Sequence, residues 1–119
     1  MRAHLRVRTS LPVEILSSGL AGHNLGDFHL HDISGGGTSV VGPHKLGDVD
    51  SPVKLRLRFD LQSTGKSEDA EMVGTIQNVE LVHRANQNHA QPEYQHGIRF
   101  HEPDARVVLL VHELKQRTD

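Results

Sequence analysis

The chain predicts an all-β fold, a small antiparallel six-stranded β-barrel with one C-terminal α-helix, and three observations carry that reading. Over residues 53–61, Val53, Leu55, Leu57, Phe59 and Leu61 alternate with Lys54, Arg56, Arg58 and Asp60, the period of a strand with one buried and one wet face. Segments rich in Gly, Ser, Asn, Asp and Pro punctuate the chain at intervals that suit short strands. The period changes only after Pro103, where Val107, Leu110, Val111 and Leu114 form one helical stripe.

The composition narrows the function as well as the fold. At 119 residues the chain has the length of one domain with one core, and residues 1–119 are read as a single unit. Aromatics are only 3%, so that core must be built from Val, Leu and Ile. A formal net charge of −2 argues against a general nucleic-acid or membrane-surface binder. Without cysteine there is no disulfide, no thiolate metal site and no thiol nucleophile, which suits a cytoplasmic protein. No apolar run approaches the ~20 residues needed to cross a bilayer. The N-terminus carries charge but no apolar signal-peptide core.

Taken in order, residues 1–10 are basic and polar without clear periodicity, and they are expected to form a mobile arm bearing Arg2, Arg6 and Arg8. Leu11, Val13 and Ile15 alternate with Pro12, Glu14 and Leu16 as a first strand. Residues 17–27 read as a hairpin loop, after which Phe28 and Leu30 alternate with His29 and His31 in a second strand. Thr38 to Val41 is β-branched and short, and a turn-rich connection leads to the strand over 53–61. Residues 62–71 are expected to be a polar, mobile loop. A long strand over 72–84 carries Val73, Thr75, Val79 and Leu81 in partial alternation, with Gly74 at a bulge or barrel corner. Residues 85–93 read as a hairpin loop. Tyr94, Ile98 and Phe100 should face inward from the last strand, where Gly97 allows close packing. A helix over 103–117 follows, with Pro103 as its first residue and acidic Glu102 and Asp104 at its positive end.

Two short stretches carry the functional signal. Arg2 and Arg6 stand with three residues between them, and a guanidinium gives two parallel hydrogen bonds to guanine O6 and N7 or to a phosphate. Residues 32–37 read Asp-Ile-Ser-Gly-Gly-Gly. Ionised Asp32 only accepts, which matches the adjacent N1–H and N2–H2 donors of guanine. The Ser34 hydroxyl can donate to a phosphate or base acceptor. Gly35, Gly36 and Gly37 permit positive φ and could leave N–H groups open to an anion. Each stretch taken alone also reads as an ordinary surface feature, solvated arginines in one case and a strand turn in the other.

Together and in this order, Arg2-Ala3-His4-Leu5-Arg6 and Asp32-Ile33-Ser34-Gly35-Gly36-Gly37 resemble the paired signatures of the PilZ domain, a receptor module for cyclic di-GMP. The stretch from Leu11 to Ile15 resembles the first strand of that family, and residues 94–100 with the following helix resemble its last strand and C-terminal element. The helix ending at Val108 to Val111 resembles the YcgR-like flagellar-brake subgroup, in which an N-terminal domain precedes PilZ. Met1 stands where many members carry another arginine. The motif's abrupt start is expected either of a minimal protein or of a domain cut from a longer one.

The resemblance implies that Arg2 and Arg6 grip guanine and phosphate groups, that Asp32 and Ser34 bind the ligand from the barrel surface, and that Gly37 shapes the turn. It implies a receptor without catalysis or cofactor. Cyclic di-GMP would order the arginine arm, and a protein partner such as the flagellar motor or polysaccharide synthesis machinery would read the new surface, with no DNA, RNA or membrane insertion involved. Motility, exopolysaccharide synthesis and adhesion in biofilms are the processes open to such a module. A protein-interaction adaptor of the same fold that binds no nucleotide is the alternative. Ten histidines also invite a metal reading, in which His29 and His31 share a strand face and need a third ligand. Glu14, Asp27, Asp32 and Glu80 have no nucleophile or base at a diagnostic spacing, which argues against an enzyme.

Overall fold

Alternating apolar residues close into a barrel when each strand can bury one face against all the others. The structure, a computed structural model, describes residues 6–18, 28–82 and 93–118. Its strands are β1 (Val7–Arg8), β2 (Pro12–Ser18), β3 (Phe28–Ile33), β4 (Gly37–Gly42), β5 (Pro52–Leu61), β6 (Lys66–Val82) and β7 (Glu93–Phe100), and one helix follows, α1 (Ala105–Thr118). The sheet runs β3-β2-β5-β6-β7-β4, and pairing of β3 with β4 closes it into a six-stranded antiparallel barrel. β1 extends β2 along the same edge of β3: Val7 and Arg8 lie opposite Ile33 and Asp32, while Pro12 and Val13 lie opposite His29 and Phe28.

The expected arm over 1–10 is thereby corrected in its described part. Val7 is buried in the core beside Ile33, and Arg8 is a strand residue, because a valine in register with an apolar partner gains more from burial than from solvation. Residues 1–5, with Arg2, lie outside the described residues, as do 85–92 of the expected hairpin loop and most of the loop over 17–27.

β5 follows its period closely. Val53, Leu55, Leu57, Phe59 and Leu61 are buried, and on the outer face Arg56 pairs with Glu14, Asp69 and Glu71 of the neighbouring strands. The expected polar loop over 62–71 is corrected to a turn at 62–65. Gly65, at φ +70°, permits that turn, and Lys66 opposite Leu61 opens β6. The inward face of β6 is Ala70, Met72, Gly74 and Ile76, whereas Val73 is 42% and Leu81 51% exposed. The register shifts between Ile76 and Asn78, so Gln77 is an extra residue that inverts the alternation and turns Val79 back toward the core.

The helix starts two residues later than its sequence suggests. Asp104 Oδ1 accepts the Arg106 N–H at 2.8 Å and its carbonyl accepts the Val108 N–H at 3.0 Å, which makes Asp104 the N-cap of a helix beginning at Ala105. The Arg106 guanidinium beside it holds the Asp104 carboxyl below the usual carboxylate range. Val107, Leu110 and Val111 seal the core at the far end of β5, where Glu113 accepts the N–H groups of Gln62 and Ser63 at 2.8 and 2.9 Å. At the opposite end of β5, Leu46 of the β4–β5 connection is wholly buried.

Candidate functional site

The site is built where β1, β3 and the β3–β4 hairpin meet. In β3, Phe28 and Leu30 face the core, and strict alternation would send Asp32 inward and Ile33 outward. The opposite is found. Leu30 lies opposite Val40 and Asp32 opposite Ser39, so His31 is an extra residue, a bulge that resets the phase. Ile33 thus enters the core, and His31 and Asp32 present adjacent side chains on the outer face.

The Asp32 carboxylate is then held from two sides. Arg6 Nη1 donates to Oδ1 at 2.6 Å, and His31 Nδ1 lies 3.2 Å from Oδ2. The Arg6 side chain is 56% exposed and that of Asp32 only 12%, so an exposed cation covers a nearly buried anion. Thr38 Oγ1 donates to the Asp32 carbonyl, anchoring its backbone to β4. The structure therefore brings Arg6 and Asp32 together, 26 residues apart in sequence. Arg8 is the direct cross-strand neighbour of Asp32 and shares its face.

Ser34 and the glycines have a different local role from the one their chemistry suggests. The Ser34 N–H donates to the Gly37 carbonyl at 2.8 Å, and its hydroxyl reaches the same carbonyl at 3.2 Å. The same hydroxyl oxygen accepts the N–H groups of Gly36 and Gly37 at 3.3 and 3.1 Å. The open anion nest expected from positive φ is thus corrected: among the described residues only Gly65 is a glycine with positive φ, and two of the N–H groups face Ser34. Gly37 is needed for approach rather than for twist, since a Cβ there would run into the Ile98 carbonyl of β7. The Phe100 N–H then reaches the Gly36 carbonyl at 2.9 Å, tying the hairpin to the strand that leads into α1.

The histidines divide. Among the described residues no group of three or more His, Cys, Asp or Glu side chains could hold a metal ion, and His31 spends a ring nitrogen on Asp32. His96 is wholly buried on β7, and its Nε2 accepts the Leu46 N–H at 3.0 Å. The pairing of His31 with Asp32 escaped the sequence reading. Its one trace there is the spacing Phe28, Leu30, Ile33, which breaks the period of two by one residue.

Comparison with known proteins bears on the whole chain. The family model of the PilZ domain matches residues 1–116. The chain belongs to the PilZ domain family. PilZ domains are binding modules of a cyclic di-GMP receptor family. Among solved structures, this PilZ domain is similar to the "PilZ domain with c-di-GMP of YcgR from Escherichia coli", with TM-score 0.68 and 12% identity over 98% of this chain and 93% of that one. It is also similar to the Bacillus subtilis inhibitor of motility MotI (DgrA), with TM-score 0.68 and 16% identity. That match covers 99% of this chain and 51% of MotI, so the domain spans about half the length of that protein. At these identities both neighbours establish the fold. No curated protein sequence matches the chain. Among the described residues no helix is long and apolar enough to cross a membrane.

Proposed function

We propose that this PilZ domain is a cyclic di-GMP receptor whose ligand is gripped by Arg2, Arg6 and Asp32 on a hairpin built by Ser34 and Gly37. The 2.6 Å pair of Arg6 with Asp32 is the observation that carries the reading. It sets a guanidinium fork beside a nearly buried carboxylate, the two groups that meet opposite edges of guanine. Ligand binding exchanges this internal pair for contacts to the nucleotide: Asp32 accepts from N1–H and N2–H2, and Arg6 turns to O6 and N7 or to a phosphate. Ser34 supports the ligand through the turn it holds closed. The segment before β1, with Arg2, is drawn over the hairpin at an ordering cost of ~1–2 kcal/mol per residue, offset by charge-assisted hydrogen bonds.

The signal then passes to a protein partner. β1 packs against α1, so a pull on Arg6 is felt by the helix at the same end of the barrel. The likeness to MotI, an inhibitor of motility, supports motility machinery as the class of partner. Calorimetry with cyclic di-GMP, GMP and cyclic di-AMP tests the receptor reading. Only cyclic di-GMP should bind tightly, and Arg6→Ala and Asp32→Ala should each weaken it several-fold or more. Tight binding retained in both variants would reject the site, and a folded domain that binds nothing would favour the adaptor reading.

A further inference from the structure

Beside Asp32 lies an open hollow of about 370 Å3 that the two family signatures do not use. It is lined by Arg8, Thr9 and Ser10 from the junction of β1 and β2, and by His29, Leu30 and His31 from β3. The junction bends there. Thr9 donates to the His31 carbonyl and the Leu11 carbonyl accepts from Leu30, so the hollow has a hydrogen-bonded backbone floor rather than a loop floor. The bulge at His31 turns Asp32 onto the outer face that His31 occupies, and the 3.2 Å contact between the two fixes the imidazole. Arg8 is exposed, sits in register with Asp32 and has no ion-pair partner among the described residues. A guanidinium unpaired among the described residues, two imidazoles and two hydroxyl side chains therefore line one open, shallow surface next to the carboxylate.

The geometry points to this hollow as a base subsite, in which one guanine of the dinucleotide lies against His29 and His31 while Arg8 takes its O6/N7 edge. This inference rests on the receptor reading above. The volume lies at the small end of the range for small-molecule sites, about 300–1,000 Å3, and suits part of a dinucleotide rather than all of it. Histidine is among the rings on which splayed bases stack, and only 3% of this chain is Phe, Tyr or Trp. Arginine paired with O6 and N7 distinguishes guanine from adenine, whose N6 donor would oppose the guanidinium. Arg8, His29 and His31 are thus specificity residues that belong to this chain and to neither signature.

The test is a calorimetric series on the intact chain with cyclic di-GMP and cyclic di-AMP, each variant being checked by thermal unfolding. Arg8→Ala should weaken cyclic di-GMP about tenfold and narrow its preference over cyclic di-AMP, with Arg6 and Asp32 still present. His31→Ala should lose a similar factor, and His31→Phe, which keeps a flat ring but cannot pair with Asp32, should recover most of it. Wild type that binds cyclic di-GMP, with Arg8→Ala and His31→Ala both folded and as tight as wild type, overturns the subsite and leaves the receptor reading standing. Wild type that does not bind the dinucleotide overturns both.

Discussion

Asp32 illustrates how one inserted residue decides the face on which a functional group appears. Were His31 not bulged, Asp32 would point into an apolar core, where an ionised carboxylate is untenable without partners. The bulge turns it outward to Arg6 and His31 and lets Ile33 fill the core position instead. His96 shows the reverse case, a titratable ring kept inside. Its Nε2 must remain unprotonated to accept the Leu46 N–H, and its buried Nδ1 makes no well-formed hydrogen bond among the described residues. Burial pushes its pKa below 6.5; the nearby Val40 carbonyl opposes the shift and the Lys45 charge adds to it. The unfolded chain therefore takes up a proton near pH 6.5 that the folded chain refuses, and this contribution to stability is present above 6.5 and lost as the pH falls toward the folded value. Urea unfolding between about pH 8 and pH 5 should show wild type losing stability on acidification. His96→Gln, which accepts the same N–H without titrating, should lose less. Equal pH slopes would remove His96 as the source.

At the scale of the elements, α1 is attached by specific polar contacts as well as by its apolar stripe. Glu113 is almost fully buried and accepts two backbone N–H groups from the β5–β6 turn, while Asp104 caps the first turn. Removing a charged acceptor of two main-chain donors costs more than removing an exposed ion pair. Glu113→Ala should therefore lower unfolding stability by about 2 kcal/mol, whereas Arg58→Ala, whose partner Asp69 is exposed, should fall within about 0.5 kcal/mol of wild type in the same urea experiment. A comparable cost for the two would show that the helix is held by its stripe alone. The β strands divide by bulges. β5 has none and reads from its alternation, while β3 and β6 each carry one, at His31 and Gln77, where the phase of the alternation shifts. A bulge leaves composition unchanged and inverts phase, so a period of two read across it puts every later residue on the opposite face.

For the whole molecule, the barrel has two differently closed ends. The β4–β5 connection inserts Leu46 at one and is pinned by His96, while α1 closes the other beside β1 and the β3–β4 hairpin. The candidate ligand residues and the helix therefore share an end, and the plug lies away from both. Leu46→Ala should cost about 3 kcal/mol of global stability, yet leave the affinity for cyclic di-GMP of the remaining folded protein unchanged at low temperature. A parallel loss of affinity would show that the two ends are coupled.

What the sequence determined alone is the class of fold and the family to which the chain belongs, together with the residues proposed for its site. Alternation in β5, the helical stripe after Pro103 and the two spaced signatures are local patterns, and local patterns survive without knowledge of partners. Tertiary structure decided which face each strand presents past a bulge, that Val7 and Arg8 are strand rather than arm, and that Ser34 and Gly37 build the hairpin through Gly36 and the Ile98 carbonyl. Those outcomes depend on register between segments far apart in the chain, and register is set by what each residue meets across the sheet, which no single stretch of sequence contains.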